Sequence, residues 1–449
     1  MATQPNIIFF FSDQQRWDTV GAYGGPLGVT PNLDRIAAEG VLFRNAFTCQ
    51  PVCGPARAAL QSGRYPSEIG CWTNHRRLPS DEARLAPGLA AAGYEVGYLG
   101  KWHLASCGER GGPNDYRERA VPPELRGGYA DFWLAADVLE FTSHSYDGHM
   151  FDADGVRRDF PEGRYRVDAQ TDWALEYLRS REGDRPFFLF LSYIEPHHQN
   201  DHGRFEGPRG SADRFQDFVV PGDLADRDGD WREELPDYLG CCAALDAAAG
   251  RIVDELEELG IADETLLVYT SDHGCHFRTR NREYKRACHD ACLRIPMIAR
   301  GPGFRGGEVV DELVSLIDIP PTLLAAGGAD LPAVLPGRPL QPLADGTAAD
   351  WPDEVFAQIS ETHVGRCVRT KKWKYSVAAP DRDGWDDPDS AVYVEDFLYD
   401  LEADPHERDN LVRDPAFAEV RAELAATLTR RMVEAGEARP EIRPAERSS

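Results

Sequence analysis

Apolar residues along this chain fall into two patterns, short runs and longer stretches with helical spacing. The runs Asn6–Ser12, Glu95–Leu99, Pro186–Tyr193 and Glu264–Thr270 show little polar alternation, as expected of strands buried on both faces of a sheet. Between them, Pro31–Glu39, Ala86–Ala92, Asp168–Arg179 and Tyr238–Leu259 space their apolar residues as helices, the first with a proline near its start. Strands interleaved with helices predict an α/β fold over residues 1–330, with a large, mostly parallel or mixed central sheet sandwiched by helices. Near residue 330 the pattern changes. Pro332, Pro336, Pro339 and Pro342 mark a loop-rich stretch, and Ala344–Asp353 is mostly small and polar. Arg366–Thr370 and Trp373–Val377 follow as strands, then the acidic loop Asp381–Asp389, the segment Asp396–Leu401 and a closing helix over Pro415–Ala435. Residues 331–449 therefore read as a small α+β subdomain with a short antiparallel sheet.

Charge narrows the partners. Against 49 Lys and Arg stand 76 Asp and Glu, a formal net charge of −27 over 449 residues. Such a surface disfavours nucleic acid and anionic membrane, and an anionic substrate needs a local basic pocket. No apolar run approaches the roughly 18 residues of a membrane span, and the first residues lack a basic segment of the export type. Ten scattered cysteines, two of them adjacent (Cys241 and Cys242), do not form a disulfide framework. A reducing, cytoplasmic location is the expectation. Assembly into a homo-oligomer stays open.

In open α/β sheets, ligands bind beyond the carboxyl ends of the strands. Asp13 follows the first buried run, Lys101 and His103 the second, His197 and His198 the third, and Asp272 and His273 the fourth. Asp13, Asp272 and His273 are natural ligands for a divalent cation, and Gln14 adds an amide oxygen. The most distinctive feature is Cys53-Gly-Pro-Ala-Arg57 followed by Gly63-Arg64. It is no cysteine-phosphatase loop, because the Arg six positions after the Cys is missing and residue 59 is Ala. Cys49 and Cys53 also lack metal-ligand CxxC spacing.

Cys53-x-Pro55-x-Arg57 with Gly63-Arg64 resembles the first signature of the type I sulfatases, formylglycine-dependent members of the alkaline phosphatase superfamily. Gly93–Leu104, with Lys101 and His103, is similar to the second signature. Ser271-Asp272-His273-Gly274, Lys285 with Arg294-Ile-Pro296, Thr30–Asp34 and Leu398–Leu411 also resemble family segments. The resemblance implies an alkaline phosphatase-like fold and hydrolysis of a sulfate monoester of a carbohydrate or a small aryl or alkyl alcohol. It implies that a maturation enzyme oxidises Cys53 to formylglycine, whose hydrate is nucleophile and metal ligand. Asp13, Gln14, Asp272 and His273 would complete the shell of one divalent metal, with Ca²⁺ expected and Mn²⁺ or Mg²⁺ the alternatives. Arg57 would hold the hydrate and metal-site geometry, Lys101 and Lys285 the sulfate oxygens, His197 the leaving oxygen, and His103 the second hydroxyl of the hydrate.

Asp13-Gln14 and Asp272-His273 depart from the Asp-Asp and Asp-Asn of many members. Related phosphonate and phosphodiester hydrolases carry the Gln and His variants, so a phosphonate or phosphate ester hydrolase is the alternative reading. A silent binding protein of the same fold would have lost part of the constellation, and all of it is present. Around the core set, Asn74, His198 and Arg278 are expected to bind substrate. His75, Arg76, Arg77, His202 and His276 are further candidates, and Arg278, Arg280, Arg282, Lys285 and Arg286 form a basic rim. Trp17, Trp72 and Trp102 are candidates for stacking on a ring, and His363 with Arg366 for closing over the pocket.

Overall fold

Ile8 and Phe10 pack into one apolar core, and Ile7, Phe9 and Phe11 into another on the opposite face. Side chains of a strand alternate between faces, so an unbroken apolar run is what a sheet covered on both sides requires. The computed structural model describes residues 4–183 and 185–445. Eleven strands build the large sheet. In chain order they are β1 (Asn6–Ser12), β2 (Val41–Phe47), β3 (Glu95–Lys101), β4 (Phe132–Ala136), β5 (Ser143–His144), β6 (Asp147–Asp152), β7 (Arg157–Asp159), β8 (Phe187–Ser192), β9 (Thr265–Ser271), β10 (Met297–Arg300) and β11 (Glu308–Ser315). Across the sheet the order is β11-β2-β10-β9-β1-β8-β3-β4-β6-β5, with β7 on β6. Helices Pro31–Glu39, Arg166–Ser180 and Trp231–Glu258 feed one core, and helices Cys53–Ser62, Leu85–Ala91 and Ile319–Ala326 the other.

The expected strands and helices are all present, with their ends moved by a few residues. The largest difference is Trp231–Glu258, which starts seven residues before Tyr238 and runs through Pro236. Glu233 and Glu234 in its first turn suit the positive end of the helix dipole. Among the strands not anticipated, β2 carries Arg44 and Asn45 mid-strand and β10 has four residues. Their unbroken apolar runs, Val41–Phe43 and Met297–Ala299, are too short to stand out.

A second sheet has the order β12 (Glu354–Ile359), β13 (Val364–Thr370), β14 (Trp373–Ala379), β15 (Val392–Asp400) and β16 (Glu441–Arg443). Its pairs are antiparallel except β15–β16. Helix Ala418–Glu434 closes it with Leu424, Leu428 and Met432 packed in one cluster with Phe356, Val368 and Tyr375. No helix among the described residues is long and apolar enough to cross a membrane.

The central four strands, β9, β1, β8 and β3, are neighbours and mutually parallel. Their carboxyl ends therefore deliver Asp272, Asp13, His197 and Lys101 to one place. Gly100 lets β3 approach β8 at this point. Its φ of +117° is unfavourable for other residues, and an added Cβ would run into the Ser192 carbonyl oxygen. Gly100→Ala should cost about 1–3 kcal/mol and shift Lys101 enough to lower turnover by about a hundredfold. Thermal melting and steady-state rates on one preparation check both halves.

Candidate active site

Cys53 opens helix Cys53–Ser62 and is 1% exposed. Four residues on, Arg57 lies on the same helical face, so both reach the strand ends. This is the physical content of the Cys-x-x-x-Arg spacing. Gly54 N–H donates to Asn74 Oδ1 (3.0 Å), fixing the first turn against the next loop.

Asp13 is the hub. Its Oδ2 accepts from Lys101 Nζ at 2.7 Å and from Arg57 at 3.0 Å, and its Oδ1 lies 3.3 Å from Cys53 Sγ. Cys53 Sγ is 3.2 Å from His273 Nε2 and 2.7 Å from Lys285 Nζ. Lys285 Nζ in turn stands 3.2 Å from His197 Nε2. Asp272 Oδ1 accepts the backbone N–H groups of Gln14 and His273, both at 2.8 Å. Gln14 adopts φ +68°, and its amide nitrogen points at Cys275 Sγ, 3.6 Å away.

Burial alone would raise the pKa of Asp13, but Lys101, His197, Arg57 and Lys285 hold it well below the usual carboxylate range. Burial and the charge of Asp13 push Asp272 up. Burial takes His273 down to about 4 despite the two carboxylates, so its imidazole is neutral near pH 7. His103 falls well below its ordinary value through burial and the cations Lys101 and Arg57. Both its ring nitrogens are buried without a hydrogen-bond partner. His197 behaves otherwise. Burial, Lys285 and Lys101 push its pKa down, Asp13 and Glu140 push it up, and the balance lies above the usual imidazole value.

This donor set fits a divalent cation. Ligand atoms of Asp13, Cys53, Asp272 and His273 lie within 4.8 Å of one another, all buried. Asp272 Oδ2 is buried with no hydrogen-bond partner. His273 directs Nδ1 to the Gly274 carbonyl (2.9 Å), which leaves Nε2 facing the cluster.

A cavity of about 400 Å³ opens over these groups, lined by Gln14, Cys53, Asn74, His75, Lys101, His103, His197, His198 and Lys285 among others. A larger one, about 530 Å³, lies at Tyr65, Asp318 and Trp351 and holds none of the predicted catalytic side chains. Several outer expectations are corrected. Arg278 does not line the site cavity; its guanidinium lies over the Tyr284 ring at 4.6 Å and near Asp230 at 3.4 Å. Of the basic rim only Lys285 and Arg286 face the cavity, since Arg280 donates to the His406 and Glu407 carbonyls and Arg282 points to solvent. Arg76 lies over Trp72 and Arg77 bonds to the Ala105 carbonyl. His202 pairs with Glu206, and His276 sits behind Lys285 on its backbone carbonyl. Trp17 stacks under Arg294, and Trp102 is core. Arg366 is buried on Glu437, and neither it nor His363 reaches the cavity.

Two contributors were not anticipated. Glu140 follows β4, its Oε2 3.2 Å from His197 Nδ1, and the charge of His197 helps take its pKa down to about 2 against the effect of burial. Recognising β4 as a strand would have exposed it by the strand-end rule. Trp385, 42% exposed in the acidic loop, stacks parallel to His75 at 6.4 Å (11°) on the cavity wall. No sequence pattern distinguishes it.

A family model described as "Sulfatase" matches residues 5–329. The chain belongs to the sulfatase family. A second model, "N-sulphoglucosamine sulphohydrolase, C-terminal", matches residues 282–434. The sulfatase is 30% identical to an ulvan-active sulfatase of Formosa agariphila, over 97% of this chain and 82% of that one. It is 26% identical to the N-acetylglucosamine-6-O-sulfatase of Bacteroides thetaiotaomicron, over 95% and 86%. Among solved structures, one bound to its substrate D-glucosamine-2-N,6-O-disulfate superposes with a TM-score of 0.77 at 24% identity, covering 97% of this chain and 98% of that one. The fold is thus the alkaline phosphatase-like one of the sulfatases.

Glu140→Gln removes a carboxylate that raises the His197 pKa. If protonated His197 is the active form, activity falls as pH rises through that pKa. The high-pH limb of kcat should therefore move to lower pH by about one unit, as a pH–rate profile against wild type will record.

Proposed function

We propose that this sulfatase hydrolyses a sulfate monoester of a carbohydrate, using Cys53 converted to formylglycine and one divalent cation. The observation that carries the reading is a buried cluster at residue 53, with Lys285 on Cys53 and on His197, and Lys101 and Arg57 on the neighbouring Asp13. The Cys53 sulfur marks where an oxygen of the hydrated aldehyde would stand. Asp13, Asp272, His273, Gln14 and residue 53 would hold the cation, and this mostly oxygen-bearing set favours Ca²⁺. Together the cation and the formylglycine hydrate supply an activated oxygen nucleophile and charge neutralisation on the sulfate.

Each remaining task falls to a side chain. Lys101 and Lys285 neutralise sulfate oxygens from fixed positions, at no reorganisation cost during reaction. Arg57 anchors Asp13 from behind. His197, held at Nδ1 by the His198 carbonyl (2.7 Å) and near Glu140, keeps a proton at Nε2 for the leaving alcohol. Neutral His103 is suited to take a proton from the second hydroxyl of residue 53. Trp385 and His75 offer a flat apolar wall for a sugar ring, and Asn74, His198 and Asn200 offer partners for its hydroxyls. The sugar-sulfate specificities named for the two curated relatives support the carbohydrate assignment.

Peptide mass spectrometry over Cys53, with turnover of 4-nitrophenyl sulfate and 4-nitrophenyl phosphonate on the same sample, tests the proposal. A peptide lighter than the thiol form together with faster sulfate turnover is expected. Faster phosphonate turnover would give the alternative reading its place. Cys53→Ala should remove turnover while leaving the melting temperature near wild type, and chelation should abolish activity until metal is restored. Trp385→Ala should raise KM for sugar sulfates roughly 3- to 10-fold, with kcat and inhibition by inorganic sulfate unchanged.

A further inference from the structure

We propose that His144, Asp201 and His202 form a second metal site, for a borderline transition ion such as Zn²⁺. These residues are separate from the catalytic cluster. His144 ends β5, and Asp201 and His202 lie in the loop that follows β8. Their ligand atoms fall within 4.8 Å of one another. Both imidazoles present Nε2 to the same carboxylate oxygen: His144 Nε2 is 2.9 Å and His202 Nε2 4.0 Å from Asp201 Oδ2.

Apart from the contact between His144 Nε2 and Asp201 Oδ2 themselves, which an ion would replace, the surrounding contacts leave these three atoms for an ion. His144 Nδ1 is 3.0 Å from Asp147 Oδ1, and His202 Nδ1 is 2.7 Å from Glu206 Oε1. A carboxylate on one imidazole nitrogen fixes the tautomer that presents the other as a ligand, the usual arrangement behind metal-bound histidines. Asp201 is prepared in the same way, since Gln199 Nε2 donates to its Oδ1 at 2.7 Å and leaves Oδ2 to the two rings. The rings stack face to face, 4.3 Å apart and 7° from parallel. Two imidazolium ions so placed would repel, whereas one cation shared by both Nε2 atoms satisfies both rings and the carboxylate. Two nitrogens and one oxygen with an open position form a common zinc ligand set, with bonds of about 2.0–2.2 Å. The side chains are 36%, 57% and 38% exposed, so an ion enters from solvent and small rotations close the remaining distance.

The loop carrying Asp201 and His202 also carries His197, and Asn200 Nδ2 donates to Glu140 Oε1 at 3.0 Å. An ion here would tie that loop to the β5–β6 hairpin and hold the His197–Glu140 pair in register.

Zn²⁺ titration calorimetry on chelator-stripped, full-length protein tests the site, comparing wild type with His202→Ala and Glu206→Gln so that zinc bound elsewhere cancels. Wild type should bind one more Zn²⁺ per chain than His202→Ala, and Glu206→Gln should keep the stoichiometry with affinity lowered about 10–100-fold. Equal stoichiometry and affinity in all three would overturn the proposal. Should His202→Ala not fold, judged by its melting curve in zinc-free buffer, His144→Gln takes its place: one Zn²⁺ fewer than wild type supports the site, and an unchanged stoichiometry and affinity overturns it.

Discussion

A carboxylate with no exposure to water, Asp13, sits between the ammonium of Lys101 and the guanidinium of Arg57. Buried charges are tolerated only when their partners are in place, and removing one partner typically costs about 3–5 kcal/mol. Three separate elements must therefore meet within hydrogen-bonding distance: the end of β1, the end of β3 and the first turns of helix Cys53–Ser62. The parallel pairing of the central strands and the tight passage at Gly100 serve this one requirement. Asp272 joins the same arrangement as a second carboxylate, too close to Asp13 to be comfortable without added positive charge.

The same field sorts the histidines. Burial takes both His273 and His103 down, helped at His103 by Lys101, and leaves them neutral, the state in which an imidazole ligates or accepts a proton. His197 lies near equally strong positive groups, yet Asp13 and Glu140 offset them, and it holds a proton more readily than either. Three histidines within one pocket thus acquire different acid–base characters from position alone.

The inner constellation was legible because it hangs on the most regular part of the fold. Central strands read as continuous apolar runs, and the first few residues beyond each run reach the crevice, so Asp13, Lys101, His197 and Asp272 follow from one rule. Glu140 escaped it because β4, five residues long, was not recognised. The outer shell was less legible. Consecutive basic residues around Arg278 look alike in sequence, but the turn there sends Arg280 to a carbonyl pair and Arg278 onto Tyr284, and only Lys285 and Arg286 face inward. Trp102, beside a motif, completes a core, while Trp385 reaches the cavity from a loop some three hundred residues away in sequence. Proximity in sequence to a motif finds Gln14, His103 and His198 on the cavity wall but misses Trp385.

Trp385 reaches the pocket from the loop between β14 and β15, on the second sheet, while the charged groups around residue 53 come from the large one. The two contributions share a cavity but no strand. Drift in that loop can therefore reshape what the pocket admits without disturbing the buried ions beneath it. A change at Trp385 therefore alters one wall of the cavity and leaves every partner of Asp13 in place, because the two belong to separate parts of the fold.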